Sequence, residues 1–130
     1  MQSEAPIIQC AFRLSLEVSK LVHNFPLKYR STLCLNLFSQ VFVFLDKTIE
    51  ANYTQDPTLR VDMVNSLLAI SVSLRLKLRI ARQLKIMSHG QHTVFNSEIE
   101  NIQRQLAGWK KWILTSMTKN KNEPIGIKKI

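Results

Sequence analysis

The amino-acid sequence predicts an all-α protein, an antiparallel up-down-up-down four-helix bundle, and three observations carry that prediction. Hydrophobic residues make up 45% of the 130, enough to bury one core and too many for a disordered chain. Apolar residues recur at three- and four-residue spacing in four separate stretches, the period of a helix with one buried face. Three glycines and four prolines are too little punctuation for a sandwich or barrel of short strands. The prediction is one domain over residues 1–117, with helices at about 7–24, 26–52, 58–87 and 97–117, and a basic tail at 118–130.

In the first stretch, Ile8, Phe12, Ser15, Val18 and Val22 fall near a helical stripe, with Leu14 and Leu21 beside it. Phe25-Pro26 ends it, because proline disfavours helical geometry in the residue before it and suits the first turn of the next helix. Asn24 is the expected cap of that second helix. There Leu33, Leu37, Val41, Phe44 (or Leu45) and Thr48 form the stripe. Phe38, Phe42 and Ile49 widen it, which predicts burial on two sides. The Val and Phe content also suits a strand, but one of this length would be unusual. Tyr53 to Pro57 reads as a turn.

The third helix has no internal Gly or Pro, and its stripe is Val64, Leu67, Leu68, Ser71, Leu74, Leu78 and Ala81. Ser88-His89-Gly90 is expected to stop it, with Gly90 as a left-handed cap. In the fourth helix, Ser97 followed by Glu100 is a capping-box pattern. Ile99, Ile102, Leu106, Trp109 and Ile113 then repeat at the spacing of a bundle seam. From Thr118 the chain turns polar and basic and reads as a mobile tail. Short turns between the helices imply antiparallel neighbours.

Charge is unevenly placed. Residues 1–56 hold five Lys/Arg and five acids, whereas residues 57–130 hold thirteen Lys/Arg against four acids, so the second half carries the whole net charge of +9. Such asymmetry points to a polyanion, nucleic acid before membrane surface, against the plainer reading of a basic surface that keeps the protein soluble. Cys10 and Cys34 form no short motif, and free buried thiols in a reducing compartment are expected. No basic-then-apolar run suggests a signal peptide. The most apolar run, Leu33–Leu45, is broken by Asn36, Ser39 and Gln40 and reads as too short and too polar to span a bilayer. A cytoplasmic protein without membrane partners is expected.

No constellation for chemistry stands out. His89 and His92 share a turn without a neighbouring Cys or acid, so no metal site and no cofactor are expected. Nothing resembles a nucleophile elbow, a Cys/His pair or a phosphate-cradling glycine loop. The nine acids show no paired-carboxylate pattern, and Glu98 and Glu100 suit a helix N-terminus. No catalytic residues, and no enzyme, are expected.

The basic residues say more. Arg75, Arg79, Arg82 and Lys85 step along the third helix, and the three arginines project cations over about 10 Å of one face. No acid lies between Asp62 and Glu98. Such a row suits phosphate contacts that are salt-sensitive and blind to sequence. Arg104, Lys110 and Lys111 add charge to the fourth helix. The alternatives are a solvated face, or arginines that meet an acidic protein partner. Trp109 and Trp112 could stack on bases, although Trp109 falls on the core seam.

Over Leu21 to Trp112 the chain resembles the accessory variability determinant proteins of diversity-generating retroelements, which belong with the small four-helix proteins encoded in rRNA intervening sequences. The residues are Phe25-Pro26-Leu27-Lys28-Tyr29-Arg30-Ser31-Thr32-Leu33, where Pro26, Arg30 and Leu33 match while Leu27 and Cys34 depart from Lys and Gly. Ala51-Asn52-Tyr53, Leu74-Arg75, Arg79-Ile80-Ala81 and Leu84-Lys85 come next. Last is Ile102-x-Arg104-x-Leu106-Ala107-Gly108-Trp109, with Gln103 and Ala107 in place of two family glycines. The resemblance implies a homopentameric barrel of four-helix protomers that binds RNA or DNA without sequence preference and associates with the retroelement reverse transcriptase during mutagenic cDNA synthesis. It implies nucleic-acid or polymerase contact for Arg75 and Arg79. The departures leave open the retroelement and the rRNA-intervening-sequence types.

Overall fold

The structure is a computed structural model that describes residues 5–121, with side-chain surroundings given through Lys119. Among the described residues there are four helices and no strand. Helix α1 spans Pro6–Lys20 and runs on into a 3₁₀ turn, Leu21–Asn24. Helix α2 covers Leu27–Tyr53 and includes a π-helical stretch, Arg30–Cys34. Helix α3 spans Pro57–Gln83 and α4 spans His89–Lys121.

The corner between α1 and α2 is built by Phe25-Pro26. Pro26 takes φ −57° and ψ 148°, an extended geometry that cannot continue the helix. Phe25 drops into the core, and Arg30 Nε donates to the Phe25 carbonyl at 3.1 Å. Asn24 is not the cap of α2, because it ends the 3₁₀ turn and Pro26 takes that place. A π turn carries extra residues per turn and re-phases the rest of the helix. Beyond it Leu37, Val41, Phe44, Thr48 and Ala51 all face inward. At the next junction Asp56 accepts from Thr58 N at 3.2 Å and Pro57 takes the first helical position.

The α3–α4 junction differs from the sequence expectation. Helix α3 ends at Gln83, not near Met87, in a Schellman turn: Lys85 N donates to Arg82 O at 3.0 Å and Ile86 N to Ala81 O at 2.9 Å. The left-handed residue is Lys85, with φ 63°, and no glycine has positive φ among the described residues. Gly90 lies inside α4. The cap of α4 is a reciprocal pair, with Gln91 N donating to Ser88 Oγ at 3.1 Å and Ser88 N to Gln91 Oε1 at 2.9 Å. The Ser-x-x-Gln pattern at residue 88 therefore starts the helix, and Ser97 and Glu100 sit within it. Ile86 and Met87 are buried, so their apolar contacts pull the chain into the tight turn and bring the helix start forward. At the other end α4 continues through residues 118–121, which the sequence assigns to the tail; the rest of that tail lies outside the described residues.

The helices pack in a ring, α1 on α2 and α4, and α3 on α2 and α4. The core comprises Ala11, Leu14, Val18, Phe25, Leu37, Val41, Phe44, Val64, Leu67, Leu74, Leu78, Ile99, Ile102, Leu106 and Ile113 with their neighbours. Burial of each large side chain contributes about 1.5–3 kcal/mol. Ser15, Thr48 and Ser71 are buried, and each donates its hydroxyl to a carbonyl one turn back, at 2.8, 2.7 and 2.7 Å. Between helices, Gln40 bonds Ser73, Lys77 bonds Asn36 and Gln40, and Gln103 Nε2 donates to Ser71 Oγ at 3.1 Å.

Two expected core assignments fail. Phe12 is 58% exposed, because the inward face of α1 is set by Ala11, Leu14, Ser15 and Val18, and Phe12 falls outside it. On α2, Phe42 and Ile49 are exposed and Phe38 is half-buried, so a single chain buries one side of this helix, not two. The apolar run Leu33–Leu45 belongs to a continuous helix of 27 residues that is long and apolar enough, by length and composition alone, to cross a membrane. In the bundle its core face packs on α1 and α3.

Candidate nucleic-acid interface

The basic face forms where α3 meets the first turns of α4. Arg75 and Arg82 are half-buried and Arg79 is exposed. Their spacing keeps them on one side of α3, and all three act electrostatically on His92 of α4. His89 adds a fifth group from the first turn of α4. Burial lowers the His92 pKa first, and Arg82, His89, Arg79 and Arg75 lower it further, because a cation there would meet other cations. His92 Nε2 is buried and has no hydrogen-bond partner among the described residues.

One acid enters this face from the neighbouring helix, which the spacing along α3 does not reveal. Arg75 Nη2 donates to Glu100 Oε1 at 2.9 Å. Both side chains are partly exposed, at 40% and 49%, so the pair is worth roughly 0.2–1 kcal/mol, and a phosphate can displace Glu100. Arg79 and Arg82 have no carboxylate within ion-pair distance among the described residues.

The other candidates separate. Lys85 is exposed but sits in the left-handed turn, beyond the end of α3, so it leaves the helical row. Arg104 is exposed one turn beyond Glu100 on α4. Lys110 is half-buried and Lys111 exposed, and both lie about 15 Å along α4 from Glu100 by helical rise. Lys77 turns away toward Asn36 and Gln40 of α2. Arg75, Arg79 and Arg82 thus form one cluster with the two histidines, and Arg104, Lys110 and Lys111 form a second group along α4.

Arg60 is a structural side chain beside this site that the sequence does not single out. Its Nε donates to Ala51 O at 3.1 Å and its Nη2 to Asn52 O at 3.5 Å, while the guanidinium lies 4.7 Å from the centre of the Trp109 ring. This arginine satisfies carbonyls at the end of α2 and holds α3 and α4 there. Trp109 is half-buried beneath it, as the core seam implies; Trp112 is exposed. No local pattern could reveal Arg60, because its partners are eight and nine residues back and on another helix.

Among the described residues no group of three or more His, Cys, Asp or Glu could hold a metal ion. Both cysteines are free. Cys34 is buried, and burial raises its thiol pKa against the opposing effect of Arg30. Cys10 is only half-buried, in contrast to the expectation, and Gln105 Nε2 lies 3.2 Å from its sulfur. A cavity of about 230 Å³ between α1 and α4 brings Glu17 and Glu98 together over Leu21 and Phe95, a carboxylate pairing that the sequence spacing hides. Burial raises the Glu98 pKa, opposed by Arg13 and aided by Glu17, and Glu17 is ion-paired with Lys20 at 3.2 Å. A shallower groove of about 590 Å³ runs beside the π-helical stretch, with Ser31, Thr32, Asn36 and Lys77 on its walls. Compared with protein-family models and with curated proteins, the chain matches none.

Proposed function

We propose that this chain is a non-catalytic accessory protein of a diversity-generating retroelement. It binds RNA or DNA through the basic face of α3 and α4 and associates with the reverse transcriptase to support mutagenic cDNA synthesis. The observation that carries the nucleic-acid part is the row Arg75, Arg79 and Arg82, opposed among the described residues by the exposed Glu100 alone. Guanidinium groups in such a row make phosphate contacts that do not depend on sequence. The retroelement part rests on the ordered motifs from Phe25 to Trp109.

The same reading takes the bundle as up-down-up-down. The pairs Asn36–Lys77 and Gln40–Ser73, then Ser71–Gln103 and Arg75–Glu100, support it, since one number rises as the other falls. It also takes the protein as a cytoplasmic homo-oligomer, a pentameric barrel. Exposed apolar side chains on α1 and α2 (Phe12, Leu16, Leu35, Phe42, Ile49) and on α3 (Val72, Leu76, Ile80) support self-association. The alternative, an rRNA-intervening-sequence type or a scaffold for an acidic protein, uses the same arginines.

The test measures binding to RNA and DNA oligonucleotides of unrelated sequence across a salt series. Affinity should fall steeply with salt. Arg79→Glu with Arg82→Glu should weaken binding to all sequences alike, and Glu100→Gln, which frees Arg75, should strengthen it. Salt-independent binding, or a loss confined to one sequence, would overturn the phosphate reading. Co-purification with the reverse transcriptase tests the other half.

A further inference from the structure

The arginine row binds phosphates and says nothing about whether the strand is paired. A second feature of the same two helices does. Trp112 is 62% exposed on α4, and among the described residues its ring has no aromatic or cation partner. A helical side chain leans over the turn that precedes it. One turn before Trp112 stands Gly108, where an added Cβ would meet nothing within 4 Å. The indole therefore has no side chain from that position over it.

Cations flank it. Arg104 and Lys111 are exposed and seven residues apart, on a stripe beside Trp112, and Lys119 is exposed two turns further on, nearly in line with Trp112. Each interval is about 10 Å. No acid occurs from residue 101 to residue 119. An uncovered aromatic ring with phosphate-binding cations on either side is the arrangement that captures unpaired bases, since every base has a face to stack and only an unstacked one can present it.

We propose that Trp112 is a stacking site for an unpaired base, so that the substrate of the α4 face is single-stranded nucleic acid. The proposal rests on the nucleic-acid reading and adds strand selectivity to it. Trp109 cannot serve, because Arg60 covers its ring.

The experiment compares a labelled oligo-dT single strand with a duplex of equal length, together with the intrinsic tryptophan emission of the full chain. Saturation with oligo-dT should quench the emission. Trp112→Ala should remove the quench and weaken single-strand binding about ten-fold, on the scale of one lost stacking contact, with duplex binding unchanged. Trp112→Phe should recover part of it. Gly108→Leu is the second variant. It adds a bulky side chain into open space one turn before the indole and replaces a helix-weakening glycine, so the unfolding temperature should rise while single-strand affinity falls. An unquenched wild type, or Trp112→Ala that leaves single-strand affinity intact or weakens both strands equally, overturns the proposal. If Arg79→Glu still abolishes salt-sensitive binding in that case, the phosphate reading stands alone; if no nucleic acid binds at any salt, both fall.

Discussion

Helices α1 and α2 and helices α3 and α4 contribute to the same core and both expose apolar side chains, but they differ in charge. Residues 1–56, which include the first pair, balance five Lys/Arg against five acids, and this pair exposes Phe12, Leu16, Leu35 and Phe42. Residues 57–130, which include the second pair, carry the whole net positive charge, and this pair exposes Arg79, Arg104 and Lys111 beside the apolar Val72, Leu76 and Ile80. The difference separates two tasks. Core positions answer to packing and look alike in both pairs, while outward positions are free of packing and record what each face meets. An apolar face suits protein, and a cationic face suits phosphate.

If that division holds, the core should be indifferent to which pair is damaged. Phe44→Ala on α2 should cost about 3–5 kcal/mol and Leu106→Ala on α4 about 2–5 kcal/mol, measured by urea unfolding. A small loss in only one pair would show that one half carries the stability. Arg60 bridges the pairs, so Arg60→Ala should cost about 1–3 kcal/mol through the carbonyls it leaves and the Trp109 contact it loses. Arg60→Lys, without the planar fork, should recover only part of this.

The α3–α4 junction offers a smaller contrast. Ser88→Ala should destabilise by about 1 kcal/mol, and Ser97→Ala should stay within about 0.5 kcal/mol. Equal effects would place the helix start where the sequence pattern alone puts it. The smallest expected effect is a pH slope that belongs to the basic face. His92, with its pKa lowered by burial and by Arg82, His89, Arg79 and Arg75, binds its proton less readily when folded than when unfolded. Stability should therefore be flat above the ordinary histidine range and fall as pH drops through about 6.5. Unfolding curves of wild type and His92→Gln between pH 8 and 5 should converge in slope only above that range.

The helices were legible because each carries a periodic stripe. Val64, Leu67, Ser71, Leu74, Leu78 and Ala81 are all buried, as their spacing implies. The junctions were not. Two stretches fit a capping box near the start of α4, Ser88-x-x-Gln91 and Ser97-x-x-Glu100, and the sequence expectation takes only the second, with Ser88 in a helix stop. Burial of Ile86 and Met87 chose the first. Lys85 in a left-handed turn defeats a search for glycine, because the Schellman hydrogen bonds and the buried Ile86 outweigh the local cost to Lys85. The family-like motif around Pro26 has a structural content of its own: Phe25 fills the core and Arg30 ties the corner.

Of the candidate site, the arginine row and its face were legible from spacing along one helix. Glu100, His92 and Arg60 were not, since each acts across helices. By itself the sequence determined the helical class, the apolar stripes and the placement of the charge, all of which depend on neighbours three or four residues away. Only the tertiary structure decided that Glu100 meets Arg75, that Arg60 covers Trp109 and that Trp112 stays bare. Those outcomes depend on which faces of different helices come together, and the register between helices is set by the whole core at once.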